Sequence, residues 1–541
     1  DFSVLETDFK YRFKGRLPLI IYGSPNTFEQ TNIIPDILPE GVGGFTTRLK
    51  NRIVIPFDGS YEELRHVLHH ELVHGFQNNI LYNKLGGALL SGVENSMPLW
   101  LAEGMAEYLS SGWNNEADMF LMDATIFGTV PLPGPELDGY MAYKGGQSFL
   151  HYLASTRGDS LFTKCLQRFS ATKNIDRAFK DEYGKTLQEL GEDWLYQLKQ
   201  VYWPEIGKRL SPSKTGKALT AHVKDRDFFN LKPRISPNGK KVAYFSDRND
   251  YTEIVIADRG GKILETISQA GYAGNFESFH PFRTGVCWSP SSDKIAFITL
   301  TRGRDELRII DLKTKKLIRT LRPHFSSVAS PDWSPDGSSI VFCGVESDQC
   351  NLYLFSLNSG ALKKLTNSIS MKSDPRFSRD GASIVFSAQD SSGVALRSRT
   401  IKQRPAVNLF SLALASGAIT QLTFGSSNKK SPCFSPDGSL LLYVSDRNGI
   451  DNLYIAPLSK PDSAKALTNV IGGCSNPDWA KDSNTVVYCL FQKGGWDIYL
   501  INDPITKTMP DALSPTKWAA AQSDSLLRFF EPQSVETGKP G

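Results

Sequence analysis

Ser60-Tyr61-Glu62-Glu63-Leu64-Arg65-His66-Val67-Leu68-His69-His70-Glu71-Leu72-Val73-His74-Gly75-Phe76-Gln77 reads as one amphipathic helix carrying a complete His-Glu-x-x-His set. Ser60 and Glu63 have the S-x-x-E spacing of a capping box, so the helix is predicted to begin near Ser60. His70 and His74 then lie one turn apart, with about 6 Å of rise between them and nearly the same facing direction. Two imidazoles so placed can reach a single ion at zinc-to-nitrogen distance. Glu71, beside the first of them, points to the open side of such an ion, where a carboxylate can take a proton from a water of lowered pKa.

A catalytic zinc needs a third protein ligand and one open position. Pro98-Leu99-Trp100-Leu101-Ala102-Glu103-Gly104-Met105-Ala106-Glu107-Tyr108 supplies a candidate. Ser96 and Pro98 read as a cap and first-turn pair, which makes this a second helix with Glu103 and Glu107 on one face. Glu103 is the expected ligand to one Zn2+ ion. Glu107, one turn on, is expected to accept the second ring N–H of a ligating histidine and so fix its tautomer. A lone H-E-x-x-H can arise by chance on a surface helix; the capped helix, the downstream W-L-x-E-G, the carboxylate at +4 and a later Y-x-x-G together argue for the metal. His66 and His69 read as solvated or packing residues.

These motifs resemble the gluzincin metallopeptidases, and H-E-L-V-H-G-F followed by W-L-A-E-G-M-A-E-Y is similar to the bacterial peptidase-MA-like domains. In the aminopeptidase N and leukotriene hydrolase branch the Glu of W-L-x-E-G is the third ligand, which the resemblance carries to Glu103. The same branch stabilises the tetrahedral oxyanion with the Tyr of a Y-x-x-G motif. Ala142-Tyr143-Lys144-Gly145-Gly146 matches it, so the resemblance implies Tyr143 as the oxyanion donor, with Tyr140 as a substitute. One departure matters. Those aminopeptidases hold the substrate amine with the Glu of G-x-M-E-N, whereas Gly43-Gly44-Phe45-Thr46-Thr47 has no carboxylate in that region. Exopeptidase action is therefore not supported, and the strand is a platform for an extended peptide.

At 541 residues the chain is too long for one core. A net charge of +4, with basic and acidic residues interspersed, leaves no nucleic-acid footprint. Apolar runs such as Leu17-Pro18-Leu19-Ile20-Ile21 are far short of a membrane span. The start at Asp1 suits a processed or trimmed form. Seven cysteines show no C-x-x-C pair; buried thiols are expected, with Cys343 and Cys350 as the one pair near enough in sequence for a hairpin disulfide.

Leu17 to Tyr22 reads as a buried strand and Arg52 to Pro56 as another ahead of the zinc helix. After Glu107 the chain reads as loop as far as Pro135. From Gly145 it turns helical, through Phe162 to Ser170, Ile175 to Phe179 and Leu187 to Val201, closing near Trp203. Beyond a linker-like Gly207 to Gly216, the turns Ser236-Pro237-Asn238-Gly239, Ser289-Pro290-Ser291-Ser292, Ser334-Pro335-Asp336-Gly337, Ser378-Arg379-Asp380-Gly381, Ser435-Pro436-Asp437-Gly438 and Ala480-Lys481-Asp482-Ser483 recur at spacings of 53, 45, 44, 57 and 45 residues. Six units of four strands make a six-bladed β-propeller. The S-P-D-G turns resemble the repeats of the TolB protein. Lys217-Ala218-Leu219-Thr220 repeats the phrase that ends later units, as in Lys465-Ala466-Leu467-Thr468, and is expected to supply the last blade's outer strand. The insertion from Ser391 to Val407, with Arg397, Arg399, Lys402 and Arg404, reads as a solvated loop or an anionic-partner contact.

The fold expected is thus multidomain: an N-terminal α+β zincin-like domain over 1–205, a linker and ring-closing strand over 206–225, an all-β six-bladed TolB-like propeller over 226–505, and an extension over 506–541. The expected function is zinc-dependent peptide-bond hydrolysis by an endopeptidase, with His70, His74 and Glu103 on the metal, Glu71 as base and Tyr143 at the oxyanion. Partners are a peptide or protein substrate and a protein on the propeller face, with no nucleic acid and no membrane span. A propeller binding module for a protein or envelope polymer, with a vestigial or structural zinc domain, is the alternative; a propeller that restricts access to the cleft is a third reading. The TolB resemblance implies an extracytoplasmic bacterial setting, periplasmic or secreted. No G-x-S-x-G occurs, which disfavours serine hydrolase chemistry.

Overall fold

The computed structural model describes residues 1–541 except 36–37, 39, 49, 83–96, 159, 269–270, 390–404, 524–527 and 531–541. The expected cap Ser96 and the insertion residues Arg397, Arg399, Lys402 and Arg404 lie outside the described residues.

The N-terminal lobe opens with α1 (Phe2–Asp8), β1 (Leu19–Tyr22), α2 (Pro25–Glu29), β2 (Phe45–Thr47) and β3 (Arg52–Pro56). The three strands form one sheet in the order β1-β3-β2, with β1 parallel and β2 antiparallel to β3. Ile53, Val54 and Ile55 of the central strand are buried. β1 differs from the buried run expected of it. As an edge strand it leaves Leu19 and Ile21 43% and 52% exposed.

The helices that follow are α3 (Tyr61–Tyr82), α4 (Leu99–Ser110), α5 (Asn115–Ile126), α6 (Gly139–Arg157), α7 (Ser160–Thr172), α8 (Ile175–Tyr183) and α9 (Leu187–Tyr202). At the start of α3 the Ser60 hydroxyl accepts from the Glu63 N–H at 3.1 Å, while Asp58 rather than Glu63 accepts from the Ser60 N–H, at 2.9 Å. Over residues 69–77 α3 is buried on most sides, so the helix is less amphipathic there than its sequence suggests. The region after Glu107 is not loop: α5 fills it, capped by the Asn114 side chain accepting from the Ala117 N–H at 2.9 Å, with Glu116 and Asp118 in its first turn. α6 likewise begins at Gly139, ahead of Gly145, and so carries Tyr143 in its second turn.

Two glycines fix how α4 meets α6. A Cβ on Gly104 would lie 2.4 Å from the Gly146 carbonyl carbon, and one on Gly146 would lie 2.1 Å from the Trp100 oxygen. The backbones touch there, which is the physical content of the glycines in W-L-A-E-G and Y-K-G-G. The contact sets Glu103 and Glu107 of α4 opposite Tyr143 and Lys144 of α6.

Residues 230–502, with Lys217–Ala218, fold into six four-stranded antiparallel sheets, and their innermost strands pack in a closed cycle. The repeated turn joins the first two strands of each. In the third, the Ser334 hydroxyl donates to Asp336 at 2.6 Å, Asp336 accepts from the Ser338 N–H, and Gly337 takes φ +76°. Lys217–Ala218 pairs with Gly495–Asn502 as the outer strand of the sixth sheet. In three blades the threonine after the outer strand donates to an asparagine, as Thr468 does to Asn452 at 2.9 Å; here Thr220 donates to Asp497 at 2.9 Å, and Asp497 also holds His222 Nδ1 at 2.7 Å.

Every innermost strand places one residue on the axis: Arg234, Cys287, Asp332, Arg376, Cys433 and Asp478 in turn. Each arginine contacts both aspartates, Arg234 at 3.1 and 3.2 Å and Arg376 at 3.4 and 3.3 Å. The second oxygen of each aspartate accepts a backbone N–H of the following blade, Phe377 for Asp332 and Ile235 for Asp478, both at 2.9 Å. A buried ion pair is stabilising only when its remaining hydrogen-bonding capacity is met, and Arg234 donates further to the Val286 and Pro331 carbonyls. All seven cysteines are free and buried; Cys343 and Cys350 are diagonal neighbours on one face of their hairpin, their thiols in contact and not joined as a disulfide.

Candidate metal centre

His70 and His74 emerge from one face of α3, and Glu103 reaches them from α4. His70 Nε2 and His74 Nε2 lie 3.2 Å apart, and each lies 3.1 Å from the same oxygen, Glu103 Oε2. A tetrahedral zinc with bonds of about 2.0–2.1 Å has neighbouring donor atoms about 3.3–3.4 Å apart, so a triangle of this size and donor chemistry fits one such ion. Among the described residues it is the one group of three or more metal-binding side chains that converges in this way.

The atoms behind the triangle set its tautomers. His70 Nδ1 lies 3.1 Å from Glu107 Oε1, and Lys144 Nζ donates to Glu107 Oε2 at 2.8 Å. His74 Nδ1 donates to Gln77 Oε1 at 2.9 Å, and Gln77 Nε2 donates in turn to the Ala102 carbonyl at 3.0 Å. With both Nδ1 atoms acting as donors, each Nε2, once it gives up its proton, presents its lone pair to the common point. Electrostatics agrees. Burial disfavours a charged His70, yet hydrogen bonds to Glu103 and Glu107 outweigh it and push its pKa up to about 10. Burial would raise the Glu103 carboxyl, but the His74 charge and hydrogen bonds from both rings hold it down to about 2. The pocket therefore demands positive charge where the three atoms meet.

Glu71 is buried beside the triangle, and its carboxylate accepts from the Thr46 hydroxyl at 2.7 Å. That hydroxyl comes from β2, the edge strand that also borders the cleft. The Tyr143 ring stacks on His70 with centroids 6.1 Å apart. Burial and the carboxylates of Glu103, Glu71 and Glu107 push its phenol pKa well up, so it stays a proton donor at neutral pH. Tyr140 borders the same cleft but donates to Glu116 at 2.9 Å. The cleft has a volume of about 1000 Å³ and is bounded by residues 41–48, α3, α4 and the start of α6. His66 lines it and His69 is buried in α3.

Sequence reasoning missed Lys144, Gln77 and Thr46. Gln77 carried a readable signal, three residues past His74 on the same helix. Lys144 and Thr46 did not, because their partners are distant in sequence.

The chain is a multidomain protein in which a TolB-like β-propeller follows an N-terminal helical lobe. Residues 281–396 match the family model for the TolB beta propeller domain. The Protein TolB homolog of Chlorobaculum tepidum is 36% identical over 83 residues, 15% of this chain and 19% of that protein. The thyrotropin-releasing hormone-degrading ectoenzyme of Homo sapiens is 21% identical over 230 residues, covering 32% of this chain and 22% of its own length. Among solved structures, TolB from Acinetobacter baumannii is 20% identical, covering 46% of this chain and 57% of that one at a TM-score of 0.37. The chain thus spans about a fifth of the length of the first curated relatives it matches. No described helix is long and apolar enough to cross a membrane.

Proposed function

We propose that the N-terminal lobe is a zinc-dependent, gluzincin-type endopeptidase and that the propeller recognises its substrate or a protein partner in an extracytoplasmic setting. The observation that carries the reading is the triangle of His70, His74 and Glu103 donor atoms with Glu71 beside it. A zinc ion bound there would supply Lewis acidity to a water and to the scissile carbonyl. Glu71, oriented by Thr46, takes the proton of the attacking water and returns it to the leaving nitrogen as the C–N bond breaks. Tyr143 donates its O–H to the oxyanion that forms on the carbonyl carbon. Glu107 and Gln77 hold the two imidazoles in the ligating tautomer. β2, at the end of its sheet and bordering the cleft, is a platform for an extended peptide.

In the Glu71→Gln variant, zinc should stay stoichiometric while hydrolysis of a peptide library is lost; retained turnover would overturn the assignment. The similarity to TolB proteins supports a second reading, in which the propeller binds a protein or envelope polymer and the zinc domain is structural. Zinc-loaded protein with no turnover on any peptide, with and without chelator, is what that reading expects.

A further inference from the structure

The walls of the cleft are anchored to one face of the propeller. Glu40, next to the lining residue Gly41, lies 3.6 Å from His280 Nδ1. At the start of α3, Tyr61 donates to Asp348 at 2.7 Å, and Gly59 is pressed against Val345 and Cys350, which a Cβ would meet at 2.8 and 3.0 Å. On the opposite wall, beside the lining residues Asn114 and Glu116, Asn115 donates to Asp446 at 3.0 Å; the buried Asp123 carboxylate accepts from the Lys493 and Gly494 N–H groups, both at 3.0 Å. Asn26 of α2 donates to Asp305 at 2.9 Å. The propeller contacts thus come from the second, third, fifth and sixth blades, all on the face opposite the S-P-D-G turns.

On that face the propeller axis opens into a hollow of about 40 Å³, lined by Lys232, Ser330, Asp374 and Asn476 among others. Glu40 at one wall meets the second blade and Asn115 at the other meets the fifth, so the walls stand on either side of this axis. The ring of Arg234, Asp332, Arg376 and Asp478 closes the axis behind it, and the recess on its far side holds about 80 Å³. Neither space passes a polypeptide.

We propose that the propeller seals the side of the cleft that rests on it, closing that approach, so that the substrates are short peptides and unfolded segments rather than folded proteins. This rests on the peptidase reading. Four separate clamps hold walls and propeller together, so the gap cannot widen without breaking hydrogen bonds that include buried ones. A folded domain cannot reach into it, whereas an extended chain lying along β2 can.

The test uses the whole zinc-loaded chain and one cleavable sequence in three forms: a free quenched peptide, the same residues joined directly between two folded domains, and the same residues set between those domains by long Gly/Ser linkers. The free and long-linker forms should be cut with similar kcat/KM and the direct fusion about tenfold or more slowly. Equal rates on all three would overturn the seal and leave the peptidase reading standing. Failure to cut the free peptide would remove both.

Discussion

Replacing Lys144 by Met should weaken zinc binding through Glu107, which Lys144 contacts. Its ammonium sits 2.8 Å from Glu107 Oε2, the two side chains are 10% and 8% exposed, and the other Glu107 oxygen holds His70 Nδ1 at 3.1 Å. Burial by itself would raise the Glu107 carboxyl; the His70 hydrogen bond and the Lys144 charge together hold it far below the usual range. Without Lys144 the carboxylate loses its buried counter-ion and moves toward the protonated form or toward solvent. His70 then loses the acceptor that keeps its Nε2 lone pair on the metal. Outer-shell losses of this kind lower metal affinity about 10- to 100-fold, or about 1.4–2.7 kcal/mol. Removing one partner of a buried pair also costs about 3–5 kcal/mol of fold stability, so folding must be checked in parallel. Competition with a chromophoric chelator gives the zinc Kd, and the visible spectrum of the cobalt-substituted protein reports the ligand field. Lys144→Arg should restore much of the affinity. A folded Lys144→Met protein with unchanged zinc Kd and cobalt spectrum would refute the chain of reasoning from Lys144 through Glu107 to His70.

Three further outcomes follow from the geometry. Tyr143→Phe should lower kcat on a quenched peptide by about 10²- to 10³-fold while leaving zinc content unchanged, as loss of one oxyanion donor does. Gly146→Ala, a change that ordinarily favours a helix, should instead destabilise by about 1–3 kcal/mol in denaturant unfolding and lower activity, because its Cβ meets the Trp100 carbonyl. Burial pushes the Asp118 carboxyl up to about 7 despite hydrogen bonds from Tyr202 and Trp113. A raised carboxyl favours folding while protonated and opposes it once charged, so wild-type stability should fall as pH rises from about 4 to 7. Asp118→Asn should flatten that slope by an amount on the order of 4 kcal/mol, read from unfolding midpoints at the two ends.

The start of α3, the repeat and the ligand candidates were legible because each is written in residues close together in sequence. His70, Glu71 and His74 share one helix, and the S-P-D-G turn is a local hydrogen-bonded unit. β1 was misjudged because an apolar run does not say whether a strand is central or at an edge. The helix over Asn115–Ile126 was missed although Asn114 and its acidic first turn announce it; the surrounding Gly and Pro residues outweighed them. The axial sequence of Arg, Cys, Asp, Arg, Cys and Asp also stood in the chain, but at intervals of about 40–60 residues, where only the closed cycle of strands gives it meaning.

The two residues that complete the sixth sheet come from the segment leaving the helical lobe. The lobes are therefore braided rather than strung in series. A fragment starting after residue 225 would expose the backbone of Gly495–Asn502 as a bare margin, inviting association between copies. Heating should melt both halves in one cooperative transition, and a nick between them should loosen the wheel as well as part the halves.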